Sequence, residues 1–265
     1  MRRFLSVITA ILAIGALTSP PASAVTNGDP DGNQHPNVGA LIYQVPGDAG
    51  YVIGCSGSLL AVGGSHAAVF LTAGHCVFAM ENVLPADTDY AVSFDSDLAI
   101  DDDGFVHPAS TVAVVGSSMN PAFLLSGANH RDLGVVFLAA APAGLEPATL
   151  PAIGADAAVV GTDVLSVGYG ANELDRSISS PNSTLVYTGK RTSGEGLVNG
   201  LSPNWLSSHA DDAATCYGDS GGPQLTSDGV MVSITITGDA PCRSVTKSQR
   251  LDLEDVQAWL QLQTA

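Results

Sequence analysis

Glycine and proline interrupt this chain so often that long regular elements do not fit between them. The 265 residues include Gly 29 and Pro 15, and both residue types disrupt helix interiors. Between these breaks, short runs rich in β-branched and apolar residues recur, which is typical of antiparallel strands joined by turns. We therefore predict an all-β barrel or sandwich. The runs cover residues 38–45, 67–71, 111–115, 133–138, 164–167 and 230–237.

The C-terminal segment is predicted to be a helix. Its apolar residues follow helical spacing, and the acidic residues near its start favour the positive end of a helix dipole. We place this helix at residues 252–263. A proline- and alanine-rich connector, residues 139–151, separates two halves of the chain, at about 25–140 and about 150–250. The residues with helical spacing are Leu253, Val256, Trp259, Leu260 and Gln263.

Composition and charge exclude two classes of protein. Hydrophobic residues make up 45% of the chain and charged residues only 13%, which is too apolar for a disordered protein. The formal net charge is −17, and such a surface repels phosphate backbones. We expect no nucleic-acid partner.

The N-terminus has the three-part pattern of a secretory signal. Arg2 and Arg3 precede an apolar stretch over residues 4–17, which is shorter than the roughly 20 residues that a bilayer span needs. Two prolines follow, and residues 22–24 read Ala-Ser-Ala, a typical signal-peptidase site. We predict that residues 1–24 are removed, which leaves a secreted, extracellular protein over residues 25–265 with no membrane attachment. Disulfides persist outside the cell.

A candidate nucleophile lies in residues 218–223, which read Gly-Asp-Ser-Gly-Gly-Pro. The first five also fit the Gly-x-Ser-x-Gly elbow of α/β-hydrolases, whose Asp and His follow the serine in the chain. The histidines here stand at 35, 66, 75, 107, 130 and 209, all before Ser220. A general base must therefore come from upstream.

Two upstream segments supply candidate partners. Residues 71–76 read Leu-Thr-Ala-Gly-His-Cys, which places His75 at the end of an apolar, strand-like run. Residues 130–137 read His-Arg-Asp-Leu-Gly-Val-Val-Phe, in which Asp132 directly precedes a second apolar, strand-like run. His-Arg-Asp also begins a kinase catalytic loop, but that motif needs Asn where Phe137 stands, and the chain lacks Asp-Phe-Gly.

In this order, the three segments resemble the trypsin/chymotrypsin family of serine proteases, and the similarity covers nearly all of residues 25–265. The resemblance implies two packed six-stranded antiparallel β-barrels with the active site between them. It assigns Ser220 as nucleophile, His75 as general base and Asp132 as the carboxylate that orients the histidine. A serine hydroxyl needs such a base, because its proton must leave during attack.

The resemblance also implies the elements around the triad. It pairs Cys55 with Cys76 and Cys216 with Cys242, and it makes the backbone N–H groups of Gly218 and Ser220 the oxyanion hole.

For substrate binding, the resemblance places Ala214 at the base of the pocket for the P1 residue and Gly238 at its wall. Ala214 carries no charge, which favours uncharged P1 residues, although Asp239 beside the pocket leaves basic ones open. Ile236 and Thr237 stand where the family usually has Ser and Trp, so a hydroxyl that supports the catalytic Asp and an aromatic wall are missing.

Activation follows from the same resemblance. In the family, a new N-terminal ammonium pairs with the Asp before the catalytic serine, which is Asp219 here. The predicted cut leaves Val25 as the first residue, so we expect Val25 and Asp219 to pair once the signal is removed.

The sequence thus predicts a secreted, monomeric serine endopeptidase that acts on polypeptides without cofactor or metal ion. Two alternatives remain: a catalytically silent member of the family that serves as a binding module, and an esterase with the same triad.

Overall fold

The computed structural model describes residues 25–171, 173–175, 184–210, 213–239 and 242–265. The predicted signal peptide, residues 1–24, lies outside the described residues. The described part of the chain forms two closed six-stranded antiparallel barrels and ends in a helix, which confirms the predicted fold class. None of its helices is long and apolar enough to cross a membrane.

The first barrel follows a two-residue strand, β1, and closes in the order β2-β3-β4-β7-β6-β5. Alternate side chains along its strands enter two separate hydrophobic clusters, because successive residues of a strand point to opposite faces. Helix α1 follows β4 directly. The elements are β1 (Asp29–Pro30), β2 (Val38–Gln44), β3 (Val52–Val62), β4 (Ala68–Thr72), α1 (Gly74–Asn82), β5 (Asp89–Ser93), β6 (Val112–Met119) and β7 (Gly134–Leu138).

The second barrel closes in the order β8-β11-β12-β15-β14-β13, with β13 paired back to β8. Strand β1 adds to it through pairing with β11, so the N-terminal segment belongs to the second barrel. Strands β9 and β10 form a separate hairpin. The strands are β8 (Asp163–Gly168), β9 (Glu173–Asp175), β10 (Thr184–Val186), β11 (Thr192–Leu201), β12 (Trp205–His209), β13 (Pro223–Leu225), β14 (Met231–Gly238) and β15 (Val245–Arg250).

The C-terminal helix, α2 (Glu254–Thr264), begins two residues after the predicted start. Leu253 is its N-cap and has an extended backbone. Asp252 is not in the helix because its buried carboxylate accepts hydrogen bonds from Arg250 and from the backbone N–H of Asp156, at 2.9 and 3.0 Å. Val256 and Leu260 of the helix are buried.

Arg191 connects the two barrels. Its side chain is fully buried and forms an ion pair with Asp31 at 2.7 Å. The same guanidinium donates to the carbonyl oxygens of Val38 and Phe94 in the first barrel, at 2.9 and 3.2 Å, and to the hydroxyl of Tyr169 just after β8, at 3.1 Å. A buried charge is costly unless it is fully paired, so these contacts hold the barrels in one arrangement.

Asp156 is a second buried carboxylate, with less support than Asp31. It lies 3.4 Å from Arg250 Nε, but neither of its oxygens accepts a hydrogen bond in the described part of the chain. Burial, together with the neighbouring charge of Asp252, raises the pKa of Asp156 to about 7. Folding therefore favours the protonated form of this group.

We predict that Asp156→Asn removes a pH-dependent loss of stability. Because the folded pKa lies above the ordinary 3.8, the stabilisation from the protonated acid is complete below about pH 4 and is lost as the pH rises through about 7. The variant should equal the parent in free energy of unfolding near pH 4 and exceed it near pH 8. Urea unfolding at both pH values measures this, with the exposed Asp163→Asn as control. Parallel pH dependence in parent and variant would contradict the prediction.

Candidate active site

His75 and Asp132 are brought together by two neighbouring strands. Strand β4 ends at Thr72, which is directly opposite Gly134, the first residue of β7. His75 follows β4 and Asp132 precedes β7, so both side chains lie at the same edge of the first barrel. The Asp132 carboxylate accepts from the His75 backbone N–H at 2.8 Å and lies 3.0 Å from the ring Nδ1. Its side chain is 7% exposed and that of His75 is 37% exposed, so a buried carboxylate orients a solvent-accessible imidazole.

Gln249, in strand β15 of the second barrel, supports Asp132 from behind. Its side-chain oxygen accepts from the Asp132 backbone N–H at 3.0 Å, and its amide nitrogen donates to the carbonyl oxygens of Asn204 and Arg250. The side chain is fully buried. Sequence analysis did not identify Gln249, because nothing in its local pattern distinguishes it from other polar strand residues.

Ser220 lies in a tight loop just before β13. Gly218 and Gly221 in this loop have φ of +99° and +84°, a region that only glycine adopts without strain. A Cβ at Gly221 would also collide with the backbone nitrogen of Ala73, at 2.7 Å. Within the described residues, the backbone N–H groups of Gly218 and Ser220 donate to no other protein group. The loop therefore presents two free donors beside the serine.

His75 and Ser220 line the same two cavities, so the structure places the three predicted triad residues at one cleft. The contacts of the described residues include no hydrogen bond between the His75 ring and the Ser220 hydroxyl. Such bonds are often long before substrate binds.

Ser56, in strand β3 of the first barrel, holds the loop at residues 216–222 of the second barrel, which we call the serine loop. Its backbone N–H donates to the carbonyl oxygen of Ser220, and its hydroxyl donates to that of Gly218, both at 2.9 Å. The same hydroxyl accepts from the Tyr169 backbone N–H at 2.9 Å. Sequence analysis identified only Cys55 in this strand and not Ser56, because partners more than a hundred residues away leave no local signal.

Asp219 and Val25 are both buried, but the structure does not bring their charges together. The Asp219 carboxylate accepts from the backbone N–H groups of Gly170 and Cys216, each at 2.8 Å. The Val25 nitrogen donates to Thr192 Oγ1 at 2.6 Å. With residue 24 still attached, this nitrogen is an uncharged amide. Burial raises the pKa of Asp219 to about 7 against the opposing effect of its two hydrogen bonds.

The first cavity has a volume of about 320 Å³ and lies beside Ser220, between the loop at 215–217 and the end of β14. Gly238 lines it, whereas Ala214 is buried and lies outside its lining. Thr215 lines it too, and its hydroxyl is hydrogen-bonded to that of Thr246 at 2.8 Å. Both threonines are 3% exposed. Uncharged hydroxyl groups therefore back this cavity.

Three more residues that sequence analysis singled out also line the first cavity. Ile236 and Thr237 form part of its wall. Asp239 lies at the same cavity, and its carboxylate accepts from the backbone N–H groups of Arg243, Ser244 and Val245. Burial opposes ionisation, but these hydrogen bonds outweigh it and lower the pKa of Asp239. The carboxylate therefore stabilises its own loop.

The second cavity, of about 390 Å³, also contacts Ser220 and is lined mainly by apolar and aromatic side chains from both barrels. His75, Tyr217 and Ser220 are common to the two cavities. Residues that line only the second one include Tyr43, Met80, Val83, Leu84, Tyr90 and Tyr187.

The four cysteines form the two disulfides that the resemblance implies, Cys55–Cys76 and Cys216–Cys242. The first ties β3 to α1 beside His75, and the second joins the serine loop to the segment after β14. The cluster of potential metal ligands found among the described residues is Cys55, His75 and Cys76. Because its two sulfurs are bonded to each other, they are not available as thiolate ligands.

Comparison with known proteins agrees with this architecture. A protein-family model described as Trypsin matches residues 31–256, which is most of the chain and includes both barrels. No curated protein matches the chain.

Proposed function

The chain belongs to the trypsin family, and on that premise we propose that it is a serine endopeptidase that cleaves polypeptides through an acyl-enzyme. The observation that carries the proposal is the buried Asp132 carboxylate. It binds both the backbone and the ring of His75, at the cleft where Ser220 lies. In this arrangement, the Nδ1 proton stays on the side of Asp132, which leaves Nε2 free to accept a proton.

The proposed reaction uses groups already in place. Ser220 Oγ attacks the peptide carbonyl carbon while His75 takes the hydroxyl proton. The carbonyl oxygen becomes an oxyanion, and the free N–H groups of Gly218 and Ser220 stabilise it, at roughly 3–4 kcal/mol per donor. His75 then gives the proton to the leaving amine. In the second half of the reaction, His75 takes a proton from water, which attacks the acyl carbon, and returns it to Ser220 Oγ as the acid leaves.

We predict that a serine-directed phosphonate labels this protein at Ser220. Ser220→Ala should abolish labelling and lower kcat/KM for peptides by at least about a thousandfold, because the nucleophile is lost. His75→Ala should have a similar effect. The exposed Ser227→Ala is the matched control and should keep full activity. Mass spectrometry and peptide hydrolysis measure these outcomes.

The same experiment separates the alternatives. A folded protein that the phosphonate does not label would be a silent binding module. A labelled protein that hydrolyses esters but leaves peptides intact would be an esterase.

For the P1 residue, we propose an uncharged side chain. The first cavity is backed by the hydrogen-bonded hydroxyls of Thr215 and Thr246, and the Asp239 carboxylate is engaged by three backbone N–H groups. An ammonium or guanidinium group would lose its water there. Backbone N–H groups already compensate part of the Asp239 charge, so this loss is offset less than it would be by an unengaged carboxylate.

In peptides that differ only at P1, we expect Ala, Val and Leu to give kcat/KM values at least about tenfold higher than Lys and Arg. A peptide library scored at P1 measures this ratio. A preference for Lys or Arg would instead identify Asp239 as a partner for basic side chains.

We also propose that the protein is secreted and that removal of residues 1–24 activates it. Val25 is fully buried, and within the described residues the buried Asp219 carboxylate accepts hydrogen bonds from backbone N–H groups alone. Cleavage after Ala24 would turn the Val25 amide into an ammonium, which gains most by pairing with this buried carboxylate. That pair would hold the loop that carries Gly218 and Ser220.

We predict that a chain starting at Val25 is at least about tenfold more active than one that keeps Ala24, because a single extra residue removes the ammonium from its buried partner. N-terminal sequencing of the secreted, active protein should begin at Val25. Equal activity of the two chains, at equal phosphonate labelling, would contradict this route of activation.

A further inference from the structure

The second cavity contacts the nucleophile but has no part in the reaction described so far. We name it the tyrosine groove, after Tyr43, Tyr90, Tyr187 and Tyr217, which line it. Tyr43 and Tyr90 come from the first barrel, whereas Tyr187 and Tyr217 come from the second. The groove therefore crosses the junction between the barrels at the level of Ser220.

Its position follows from the residues it shares with the first cavity. Both cavities are lined by His75, Tyr217 and Ser220, but their other lining residues differ. Those of the first cavity come from the second barrel alone, and those of the groove come mainly from the first barrel. A peptide attacked at Ser220 must extend in two directions. If its acyl half enters the first cavity, beside Gly238, its leaving half passes over the tyrosine groove, on the side where His75 protonates the amine.

The lining is apolar and free of charged carboxylate or amine groups. In a chain of net charge −17, no Asp, Glu, Lys or Arg lies among the described residues that line the groove. Burial raises the pKa of Tyr43, Tyr90 and Tyr187, and the Tyr90 hydroxyl donates to the Met80 carbonyl oxygen at 3.1 Å. These phenol rings therefore present neutral, aromatic surface.

We propose that the tyrosine groove binds the residues that follow the scissile bond and makes the enzyme select apolar or aromatic side chains there. The proposal rests on the proposed function, since it requires an acyl-enzyme at Ser220. Aromatic side chains prefer such surroundings because they gain both burial and ring–ring contact. An acidic side chain would lose solvation without finding a partner.

Acyl transfer tests the groove separately from the first cavity. One ester substrate forms a common acyl-enzyme, and amino-acid amides then compete with water for the acyl group. Because every amide meets the same acyl-enzyme, the ratio of transfer to hydrolysis reports binding on the leaving-group side alone. We expect phenylalanine and leucine amides to be at least about tenfold better acceptors than alanine amide, and aspartate amide to be the poorest.

A matched pair of variants locates the effect. Val83 lines the groove and is 68% exposed, whereas Val115 in β6 lies outside it and is 64% exposed, so neither substitution disturbs a buried core. Val83→Asp should lower the preference for phenylalanine amide over alanine amide by about threefold or more. Val115→Asp should leave the preference and the ester hydrolysis rate unchanged.

The outcomes distinguish this inference from the proposed function. If no acyl-enzyme forms, the proposed function is wrong and the inference is wrong with it. The acyl-enzyme can instead form and the ester be hydrolysed, while all amides accept the acyl group equally or the two Asp variants have the same preference. In that case only the assignment of the groove is overturned.

Discussion

The arrangement of this molecule depends on one buried cation. Arg191 has no contact with water, so each of its N–H groups must find an acceptor within the protein. It finds them in the N-terminal segment at Asp31, in the first barrel at Val38 and Phe94, and after the first strand of the second barrel at Tyr169. His75 and Asp132 come from one barrel and Ser220 from the other. The Arg191 contacts therefore oppose any rotation between the barrels that would separate these side chains.

Three buried aspartates show how the neighbouring groups set the pKa of a carboxylate. Burial alone would raise the pKa of Asp31, but hydrogen bonds from His35 and Arg191 outweigh burial and hold that pKa below its usual range. Burial raises the pKa of Asp156 and of Asp219 to about 7. Asp156 also has a second carboxylate beside it, and among the described residues Asp219 accepts hydrogen bonds from backbone N–H groups alone. Asp31 is therefore a fixed anchor. Folding favours the protonated form of Asp156. Asp219 is a site where a new positive charge would be stabilised.

The cleft joins two kinds of surface at one nucleophile. The first cavity is backed by threonine hydroxyls and lined by the Asp239 carboxylate, which backbone N–H groups hold, whereas four tyrosines line the other cavity, the tyrosine groove. Ser56 links the two because it holds the carbonyl oxygens of Gly218 and Ser220 from the opposite barrel. If the proposed function holds, substrate selection and catalysis both depend on this junction between the barrels.

Local patterns in the sequence indicated the β class, several of the strands and the C-terminal helix, because side-chain alternation and helical spacing act over a few residues. They did not indicate β3 or α1. Resemblance to a family added the six-stranded barrels and the roles expected of His75, Asp132 and Ser220. Only the tertiary structure revealed Gln249 behind Asp132, Ser56 beneath the serine loop, Thr246 behind the first cavity and the tyrosine groove. Each of these depends on contacts between residues far apart in the chain. Such contacts arise only when both barrels close, so they leave no periodicity or spacing that a sequence could show.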